Sequence, residues 1–427
     1  MNKKAKQILI LGGYGYANAG DEAQLNYTYN FLAKHYPEYE LKVLSPDPAH
    51  TAKAHGFKAY DAPRVAFFDA NKPGKPYKCD NLLKKIRFWL KATHIYTNAL
   101  LIRHNYPTIF LDDEAKNLIH EIKNSSLIFF SGGGYLTGKT LSRLWDGIVF
   151  IKLASLFDTP VVLSGQTTGI WQNIFNKTLA GLAFRDVKLI SLRDKQKSLL
   201  ALKEIGVNPE NIIPTHDDAL FCEKEEDIEY LLKNSSMNDE DIQKGYIVMN
   251  FLYFGQQKRR ILINKMKSVI DVIKAETDLN ILLVPMHKTD EEALENYYYC
   301  VEEDNSRTFI LNYDYDFKKI RGVISKAHYC ITMRHHPIIF ALGEGVPTIS
   351  LAQNEYFVHK NSGALDLCGQ QKFCINLNDE EFLDRFKTLF NELINNETAI
   401  KAQIAVKLDE LKAKRNVFDE KLREYLP

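Results

Sequence analysis

The hydrophobic and polar positions in the first half of the chain follow a repeating order of short apolar runs and longer helical patterns. Five apolar runs end in Gly-, Ser- or Asp-containing turns: QILILGG, ELKVLSP, SSLIFFSGGG, TPVVLSGQ and VKLISLRD. Helix-length segments such as GDEAQLNYTYNFLAKHY and TLSRLWDGIVFIKLASLF lie between them. This alternation predicts an α/β fold with a parallel sheet that has helices on both faces.

The second half repeats this pattern after an acidic stretch that has no strand-like periodicity. Its apolar runs are YIVMNFL, NILLVPMH, TFILN, AHYCITM and VPTISLA. We therefore expect two similar domains with a cleft between them, followed by a terminal helix that packs back across the cleft. The predicted boundaries are residues 1–225 for the first domain, 226–245 for a linker, 246–378 for the second domain and 379–427 for the charged C-terminal helices.

The composition excludes several classes of protein. The 427 residues include 55 basic and 54 acidic side chains, a net charge of +1, so no overall field attracts nucleic acid. The six cysteines are scattered without a C-x-x-C pair, which favours reduced thiols and no metal site. The N-terminal apolar run is only ILIL, typical of a first strand rather than a signal peptide, and no run of apolar residues is long enough to span a membrane. We expect a cytoplasmic protein.

One basic amphipathic segment allows two interpretations. Lysine and arginine alternate there with large apolar residues, in the order Leu82, Leu83, Lys84, Lys85, Ile86, Arg87, Trp89, Leu90 and Lys91. Such a helix can lie on the inner, anionic face of a membrane as a peripheral protein. The alternative, which we favour from sequence, is a solvated helix whose apolar stripe lies in the core.

A glycine-rich turn, SGGGYLTGKT, matches the phosphate loop of ATP- and GTP-binding proteins when it is read from Gly133. In that interpretation Lys139 would reach the outer phosphates and Thr140 would hold Mg²⁺. No other strand of this half ends in a suitable metal-binding aspartate, because Asp194 follows an arginine and Asp47 lies between prolines. We therefore interpret the glycines as positions of close backbone approach, without ATP.

Seven motifs, in order from about residue 8 to about residue 370, point to one family. They are GGYGYANAGDEAQL, SGGGYL, SGQTTG, SLRDKQKSLLALKEIGV, HDDALF, TMRHHPIIFALGEGVPTISLA and HKNSGALDLCG. Together they resemble the polysaccharide pyruvyl transferase family. Two departures are His335, which stands where relatives often have a small or aliphatic residue, and Lys360, which falls a few residues late.

The resemblance implies two Rossmann-like domains arranged as in GT-B glycosyltransferases. It also implies transfer of a pyruvyl group from phosphoenolpyruvate to a sugar as a ketal, in cell-surface polysaccharide biosynthesis, with no separate cofactor. The sugar acceptor is expected to be free or lipid-linked. Phosphoenolpyruvate carries a carboxylate and a phosphate, so its pocket requires guanidinium and ammonium donors.

The candidate site residues follow from the motifs and this chemistry. The catalytic candidates are His336, Arg334 and Arg193, with His336 as the proton donor. Donor binding is assigned to Arg193, Arg334, Lys360, Gly132, Gly133 and Gly134. Acceptor binding is assigned to Asn18, Asp21, Gln166 and His287, and Asp290 is expected nearby. In an extended strand, Arg334 and His336 would share one face while His335 pointed the other way.

Other interpretations remain open from sequence alone. Arg193 with Asp194 fits a helix-capping ion pair, the two histidines fit a surface cluster, and Asp21 fits a helix start favoured by the dipole. A GT-B-type glycosyltransferase that uses a nucleotide sugar is the nearest alternative function, with Glu344 as its carboxylate. A non-catalytic protein that binds glycan or phosphoenolpyruvate is the other.

Overall fold

The computed structural model describes residues 6–16, 18–62, 81–194, 196–252, 259–300 and 307–426. Within them, thirteen strands form two parallel sheets, of seven and six strands. Contacts within the chain divide it into two units. The first comprises Met1–Ala17, Gln24–Asp218 and Lys412–Pro427, and the second comprises Asn18–Ala23 and Ala219–Leu411. Both units are therefore discontinuous in sequence.

The first sheet has the strand order β3-β2-β1-β4-β5-β6-β7, and all neighbouring pairs are parallel. Its strands are β1 (Gln7–Leu11), β2 (Glu40–Ser45), β3 (Ala59–Asp61), β4 (Leu127–Phe130), β5 (Val161–Gln166), β6 (Leu189–Leu192) and β7 (Ile212–Pro214). The five predicted apolar runs form β1, β2, β4, β5 and β6. The three-residue edge strands β3 and β7 are too short to produce a periodic signal.

Helices cover both faces of this sheet. They are α1 (Ala19–His35), α2 (Pro48–His55), α3 (Leu82–Arg103), α4 (Asp113–Asn124), α5 (Leu141–Leu156), α6 (Ile174–Phe184) and α7 (Lys197–Glu204). Side chains alternate between the faces, so Ile128 packs with α3, α4 and α5 while its neighbour Phe129 packs with α1. The last helix of the chain, α16 (Glu397–Arg423), places Phe418 and Leu422 on that second face.

The second sheet has the order β10-β9-β8-β11-β12-β13, again with parallel pairs throughout. Its strands are β8 (Tyr246–Asn250), β9 (Asn280–Leu283), β10 (Thr308–Ile310), β11 (Tyr329–Thr332), β12 (Thr348–Ala352) and β13 (Cys374–Asn376). Its strands are nearly all buried, as doubly covered parallel sheets require. The α/β prediction with two Rossmann-like domains is confirmed.

The remaining helices belong to the second half of the chain. They are α8 (Glu229–Asn234), α9 (Asp239–Lys244), α10 (Arg259–Glu276), α11 (Lys288–Cys300), α12 (Phe317–Ser325), α13 (His335–Gly343), α14 (Glu355–Asp366) and α15 (Phe382–Asn395), followed by α16. The predicted linker thus contains two short helices. A capping box between Asn238 and Asp241 begins α9.

The favoured interpretation of the basic segment is wrong. Helix α3 contacts the core through Phe88, Ala92, Ile95 and Ala99, which recur at helical spacing. Four of the residues assigned to the core instead face outward, with exposed fractions of 71%, 79%, 47% and 67% for Leu82, Leu83, Ile86 and Leu90. Among the described residues, no helix is both long and apolar enough to cross a bilayer.

Candidate functional site

Each sheet has one point where the strand order reverses, between β1 and β4 in the first and between β8 and β11 in the second. Helices that follow the two neighbouring strands then leave on opposite faces, which opens a crevice at the carboxyl ends of the strands. Ligands of doubly wound sheets bind there. The glycine turns lie at this edge of the first sheet, and the Arg334 to His336 cluster lies at this edge of the second.

The backbone of the triple-glycine turn is already hydrogen-bonded within the first unit. The Gly132 N–H donates to the Asp218 carboxylate over 2.8 Å, and the Gly133 N–H donates to the Gly165 carbonyl over 3.2 Å. These two amides therefore have no hydrogen left for a phosphate oxygen. The structure gives Gly132 and Gly133 a structural role in place of the expected donor contact.

The same turn requires glycine because its neighbours come very close. A Cβ at Gly132 would lie 3.0 Å from the Asp218 Cβ, and a Cβ at Gly134 would lie 2.9 Å from Nη2 of Arg193. Gly133 has φ of +153°, where an L side chain is strained. The close backbone approach predicted from sequence is thus made to side chains of the same unit.

Further along the turn, a hydroxyl and a backbone amide that an ATP-binding loop would use are hydrogen-bonded to backbone carbonyls of the same unit. The Thr140 hydroxyl donates to the Tyr135 carbonyl over 2.7 Å, and the Gly138 N–H donates to the Gly169 carbonyl over 3.1 Å. A Cβ at Gly138 would lie 1.8 Å from the Ile170 carbonyl oxygen, which accounts for that glycine. The Gly138 amide and the Thr140 hydroxyl are therefore used in packing the turn.

Arg193 lies in a buried ion pair. Its Nη1 is 2.6 Å from the Asp217 carboxylate, and its Nε donates to the Thr167 hydroxyl over 2.7 Å. The residue is 7% exposed and Asp217 is fully buried. The guanidinium thus neutralises a buried carboxylate through Nη1, and the binding of phosphoenolpyruvate by Arg193 stays a prediction. Asp194 instead caps the following helical turn by accepting from the Ser198 N–H.

A second buried pair, Asp218 with Arg415, adjoins the first. The Asp218 carboxylate accepts from Arg415 Nη1 at 3.1 Å and from the Ser164 hydroxyl at 2.8 Å. Burial raises the pKa of Asp218 and outweighs the opposing effects of Arg415 and Ser164. Burial alone would lower the pKa of Arg415, but Tyr27, Asp218 and Asp419 raise it above its usual value.

Two other polar residues of this cluster are enclosed. Gln166 is fully buried and donates to the Ser131 carbonyl over 2.6 Å, so it holds the glycine turn, and its contact with a sugar stays a prediction. Burial, aided by Arg415, lowers the pKa of His216 to about 4. The polar cluster of the first unit is therefore a buried framework. A substrate would find few of its groups accessible.

The second unit holds a more accessible guanidinium. Arg334 donates through Nε to Asp290 Oδ2 at 2.7 Å and through Nη2 to Oδ1, a two-pronged contact. Asp290 is fully buried and also accepts from the Met286 N–H, whereas 26% of the Arg334 side chain is exposed. Asn250, at the end of β8, donates to Asp290 over 3.3 Å. The carboxylate thus fixes an arginine at the edge of the sheet.

The two histidines begin a helix, so the expected extended geometry is wrong. Strand β11 ends at Thr332, Arg334 is the N-cap residue of α13, and α13 starts at His335. The imidazole rings of His335 and His336 are 5.4 Å apart and nearly perpendicular. His335 is 9% exposed, and His336 is half-buried.

The second unit also includes the start of α1. A Cβ at Gly20 would lie 2.0 Å from the His336 ring, so only glycine leaves room for this imidazole. Asn18 caps the turn, since its side-chain oxygen accepts from the Gly20 N–H over 3.1 Å. Asp21 is half-buried in the first turn of α1. The structure thus brings two predicted acceptor residues close to the predicted proton donor.

His287 and Lys360 lie in segments that adjoin this cluster. The His287 carbonyl accepts from the Asp290 N–H over 2.8 Å, at the start of α11. Lys360 is half-buried on α14, beside Asn361, whose amide donates to the Met333 carbonyl over 3.3 Å. Both therefore remain predicted ligands near Arg334. Among the described residues, no group of three or more His, Cys, Asp or Glu side chains could hold a metal ion.

The carboxylate expected in a nucleotide-sugar enzyme is already occupied. Glu344 ends α13, opposite to its histidine end, and accepts from Arg321 Nε at 2.7 Å and from Lys224 Nζ at 2.8 Å. Its side chain is 13% exposed. Glu344 thus anchors α13 to its neighbours.

Sequence reasoning did not assign Asp217, Asp218, Asn250 and Arg415 to either cluster. Asp217 and Asp218 stood in a recognised motif, and Asn250 ends an apolar strand, so each carried a usable signal. Arg415 lies in a helix dense with charges, and nothing in its neighbours distinguishes it. Its partner Asp218 is 197 residues away.

Three solved structures with a similar fold contain UDP or a UDP-sugar. The Anabaena protein HepE, in complex with UDP and glucose, is 14% identical with a TM-score of 0.54, over 98% of this chain and 99% of HepE. The Neisseria meningitidis UDP-GlcNAc 2-epimerase, bound to UDP-GlcNAc, is 11% identical with a TM-score of 0.57, over 98% and 99%. The S. aureus MnaA–UDP structure is 14% identical with a TM-score of 0.51, over 94% of this chain and 90% of MnaA. At these identities the likeness establishes the fold, which is GT-B-like.

The sequence comparisons are more specific. No curated protein matches the chain. A family profile described as polysaccharide pyruvyl transferase matches residues 18–355 and so covers well over half of the chain. The match includes the start of α1, both sheet edges and the Arg334 to His336 cluster. The chain therefore belongs to the polysaccharide pyruvyl transferase family.

Proposed function

We propose that this protein transfers the pyruvyl group of phosphoenolpyruvate to two hydroxyls of a sugar as a ketal, during the synthesis of a cell-surface polysaccharide. The observation that carries the proposal is the cluster in the second unit. There a partly exposed arginine, Arg334, is fixed by the buried Asp290 and adjoins His336 at the carboxyl edge of the sheet. At this edge the arginine can bind an anion and the histidine can donate a proton.

Arg334 would bind the anionic donor. Two of its nitrogens face Asp290, so the guanidinium is held in a fixed plane while about a quarter of the side chain meets solvent. The positive end of the α13 dipole lies at the same position, because Arg334 is the N-cap residue of α13. A carboxylate or phosphate is favoured at such a point. Lys360 would add a second cation.

His336 would supply the proton that begins the reaction. Protonation of the methylene carbon of phosphoenolpyruvate makes that carbon a methyl group and leaves positive charge on the neighbouring carbon. One sugar hydroxyl attacks that carbon, the bond to phosphate breaks, and the second hydroxyl closes the ketal. One hydroxyl proton restores the histidine, and the other leaves with phosphate, so the atoms balance. Asn18 and Asp21, beside His336, would orient the sugar.

Transfer from a nucleotide sugar is the alternative, and the similar folds that bind UDP or UDP-sugars favour it. Its expected carboxylate, Glu344, is paired with Arg321 and Lys224, which weighs against a hydrogen bond from Glu344 to a nucleotide ribose. A non-catalytic binding protein would need no proton donor beside its arginine. Pyruvyl transfer accounts for both groups.

The test is incubation of the purified chain with phosphoenolpyruvate and a panel of p-nitrophenyl glycosides and lipid-linked sugars. We expect phosphate release that depends on the acceptor, together with a product that carries the added pyruvyl mass. Parallel reactions with UDP-sugars serve as the control. Release of UDP with glycosyl transfer, or binding of phosphoenolpyruvate without turnover on any acceptor, would contradict the proposal.

A further inference from the structure

Helix α3 of the first unit carries an apolar surface on the side that faces away from its core. Leu82, Ile86 and Leu90 recur at intervals of four residues, so they form one stripe along the outer face. Leu83 extends this stripe at the first turn, and it is the most exposed of the four at 79%. A surface helix usually shows polar residues in this position.

The stripe continues across a groove to a neighbouring segment. The groove has a volume of about 740 Å³ and lies between α3 and the starts of α5 and α6. Trp89 and Trp145 form part of its wall, with ring centroids 5.1 Å apart. Phe175, at the start of α6, lines the groove and is 51% exposed, and the preceding residue Ile174 is 77% exposed. The apolar surface is therefore continuous over two helices.

Basic side chains border this surface on both flanks of α3. Each flank of α3 separates the outer stripe from the buried face. One flank carries Lys84, Arg87 and Lys91, and the other carries Lys85. Residues 81–111 contain five lysines and arginines and no acidic residue, whereas the whole chain is nearly balanced. Apolar residues that point outward between cations are typical of helices that lie in the interface of an anionic bilayer.

We propose that this surface, formed by α3 and the start of α6, docks the protein onto a membrane that contains anionic lipids. The apolar stripe enters the acyl boundary, and the flanking cations contact the headgroups. A symmetric contact between two copies would bring the two basic flanks together, which like-charge repulsion disfavours. The inference does not rest on the proposed reaction. It gives the protein access to any acceptor that is held in a bilayer.

The test uses the full-length chain and two kinds of vesicle, phosphatidylcholine alone and phosphatidylcholine mixed with phosphatidylglycerol. We expect co-sedimentation only with the mixed vesicles, and weaker binding at high salt. Tryptophan fluorescence gives a second readout, because Trp89 and Trp145 line the groove; brominated lipids should quench it. Equal binding to both vesicles, or no binding to either, would overturn the proposal.

Variants separate docking from other effects. Replacing Leu82, Ile86 and Leu90 together by Ser should abolish vesicle binding, whereas Leu200→Ser, at a 64% exposed site on α7, should not. Lys85→Gln and Arg87→Gln should each weaken binding about fivefold. All of these variants should keep their turnover with a water-soluble acceptor. If the triple variant bound vesicles normally, or instead broke up a dimer seen by sedimentation, the surface would not be a membrane site.

Discussion

At the scale of single residues, the two adjacent histidines have different surroundings. His336 is half-buried and lies over Gly20, beside Arg334, whereas His335 is 9% exposed. With His336 as the general acid, His336→Ala should lower kcat about 10²- to 10⁴-fold and change the KM for phosphoenolpyruvate little. His335→Ala should be mild by comparison. Steady-state phosphate release measures both variants, and a dead His335→Ala beside an active His336→Ala would refute the assignment.

Arg334 and Asp290 provide a second residue-scale prediction. Lys cannot reproduce the two-pronged contact with Asp290, so Arg334→Lys should raise the KM for phosphoenolpyruvate at least tenfold, or about 1.4 kcal/mol. Asp290→Asn keeps the shape but weakens the hold on the guanidinium. It should raise KM by a smaller factor, with kcat nearly unchanged. If Arg334→Lys and Asp290→Asn both lowered kcat and left KM unchanged, the prediction would be wrong, and Arg334 would act in the transition state only.

His216 predicts a pH dependence of stability. Its pKa falls from 6.5 to about 4 on folding, chiefly because it is buried. The unfolded chain therefore binds more protons, and stability contributed by the neutral ring is present above pH 6.5 and lost as the pH falls towards 4. The loss should be about 3 kcal/mol in the free energy of unfolding. We expect the free energies of unfolding of the wild type and His216→Gln, measured by urea titration, to converge as the pH falls over this range. A constant difference between the two at every pH would contradict the prediction.

At the scale of elements, the functional groups of the second unit depend on where helices start. Glycine is required at position 20 because any side chain there meets the His336 ring. Gly20→Ala should displace the imidazole and lower kcat about a hundredfold, as an ångström-scale misplacement does. The matched control is Gly363→Ala on α14, where a Cβ meets nothing within 4 Å.

Circular dichroism and thermal unfolding complete this comparison. Both alanine variants should keep a folded far-ultraviolet spectrum. Only the Gly20 variant should lose turnover. If both variants kept full activity, the contact between the start of α1 and His336 would have no part in the reaction.

Elements were predictable from sequence where a run of apolar residues was long enough. Ten strands, including the three-residue β10 within the run TFILN, were predicted from apolar runs, and their carboxyl ends mark the sheet edges. The edge strands β3, β7 and β13 have three residues each and give no such signal. Helix α3 was misread because its outer face is as apolar as its inner one, so periodicity alone could not choose between them.

The site was predictable only in part, for a related physical reason. The motifs identified Arg334 and His336, but they did not predict the backbone conformation there. Three residues are too few to distinguish the end of a strand from the start of a helix. Arg193 and Gln166 were assigned as ligands from motifs at strand ends, and these motifs did not reveal their buried partners. Their buried partners lie on other elements: Asp217 for Arg193, and the Ser131 carbonyl for Gln166. Such pairings are tertiary, and a single sequence does not contain them.

At the scale of the whole molecule, the two ends of the sequence contribute to one unit. Arg415, near the end of α16, is 3% exposed and neutralises the fully buried Asp218. Arg415→Met should lower the free energy of unfolding by about 3 to 5 kcal/mol, because it leaves an uncompensated buried charge. Adding Asp218→Asn should recover part of this loss. Urea unfolding of the double-mutant cycle measures the coupling, and strictly additive effects would contradict a direct pair.

The discontinuous first unit also constrains how the protein is made. Its strands precede the second unit in the sequence, but residues 412–426, which include Arg415 and the core residue Phe418, follow that unit and are synthesised after it. Domains usually fold in the order of synthesis. Here the earlier unit lacks the Arg415 partner of Asp218, and one face of its sheet lacks Phe418 and Leu422, until the later unit has been translated. The first unit is therefore completed only after the second unit has been synthesised.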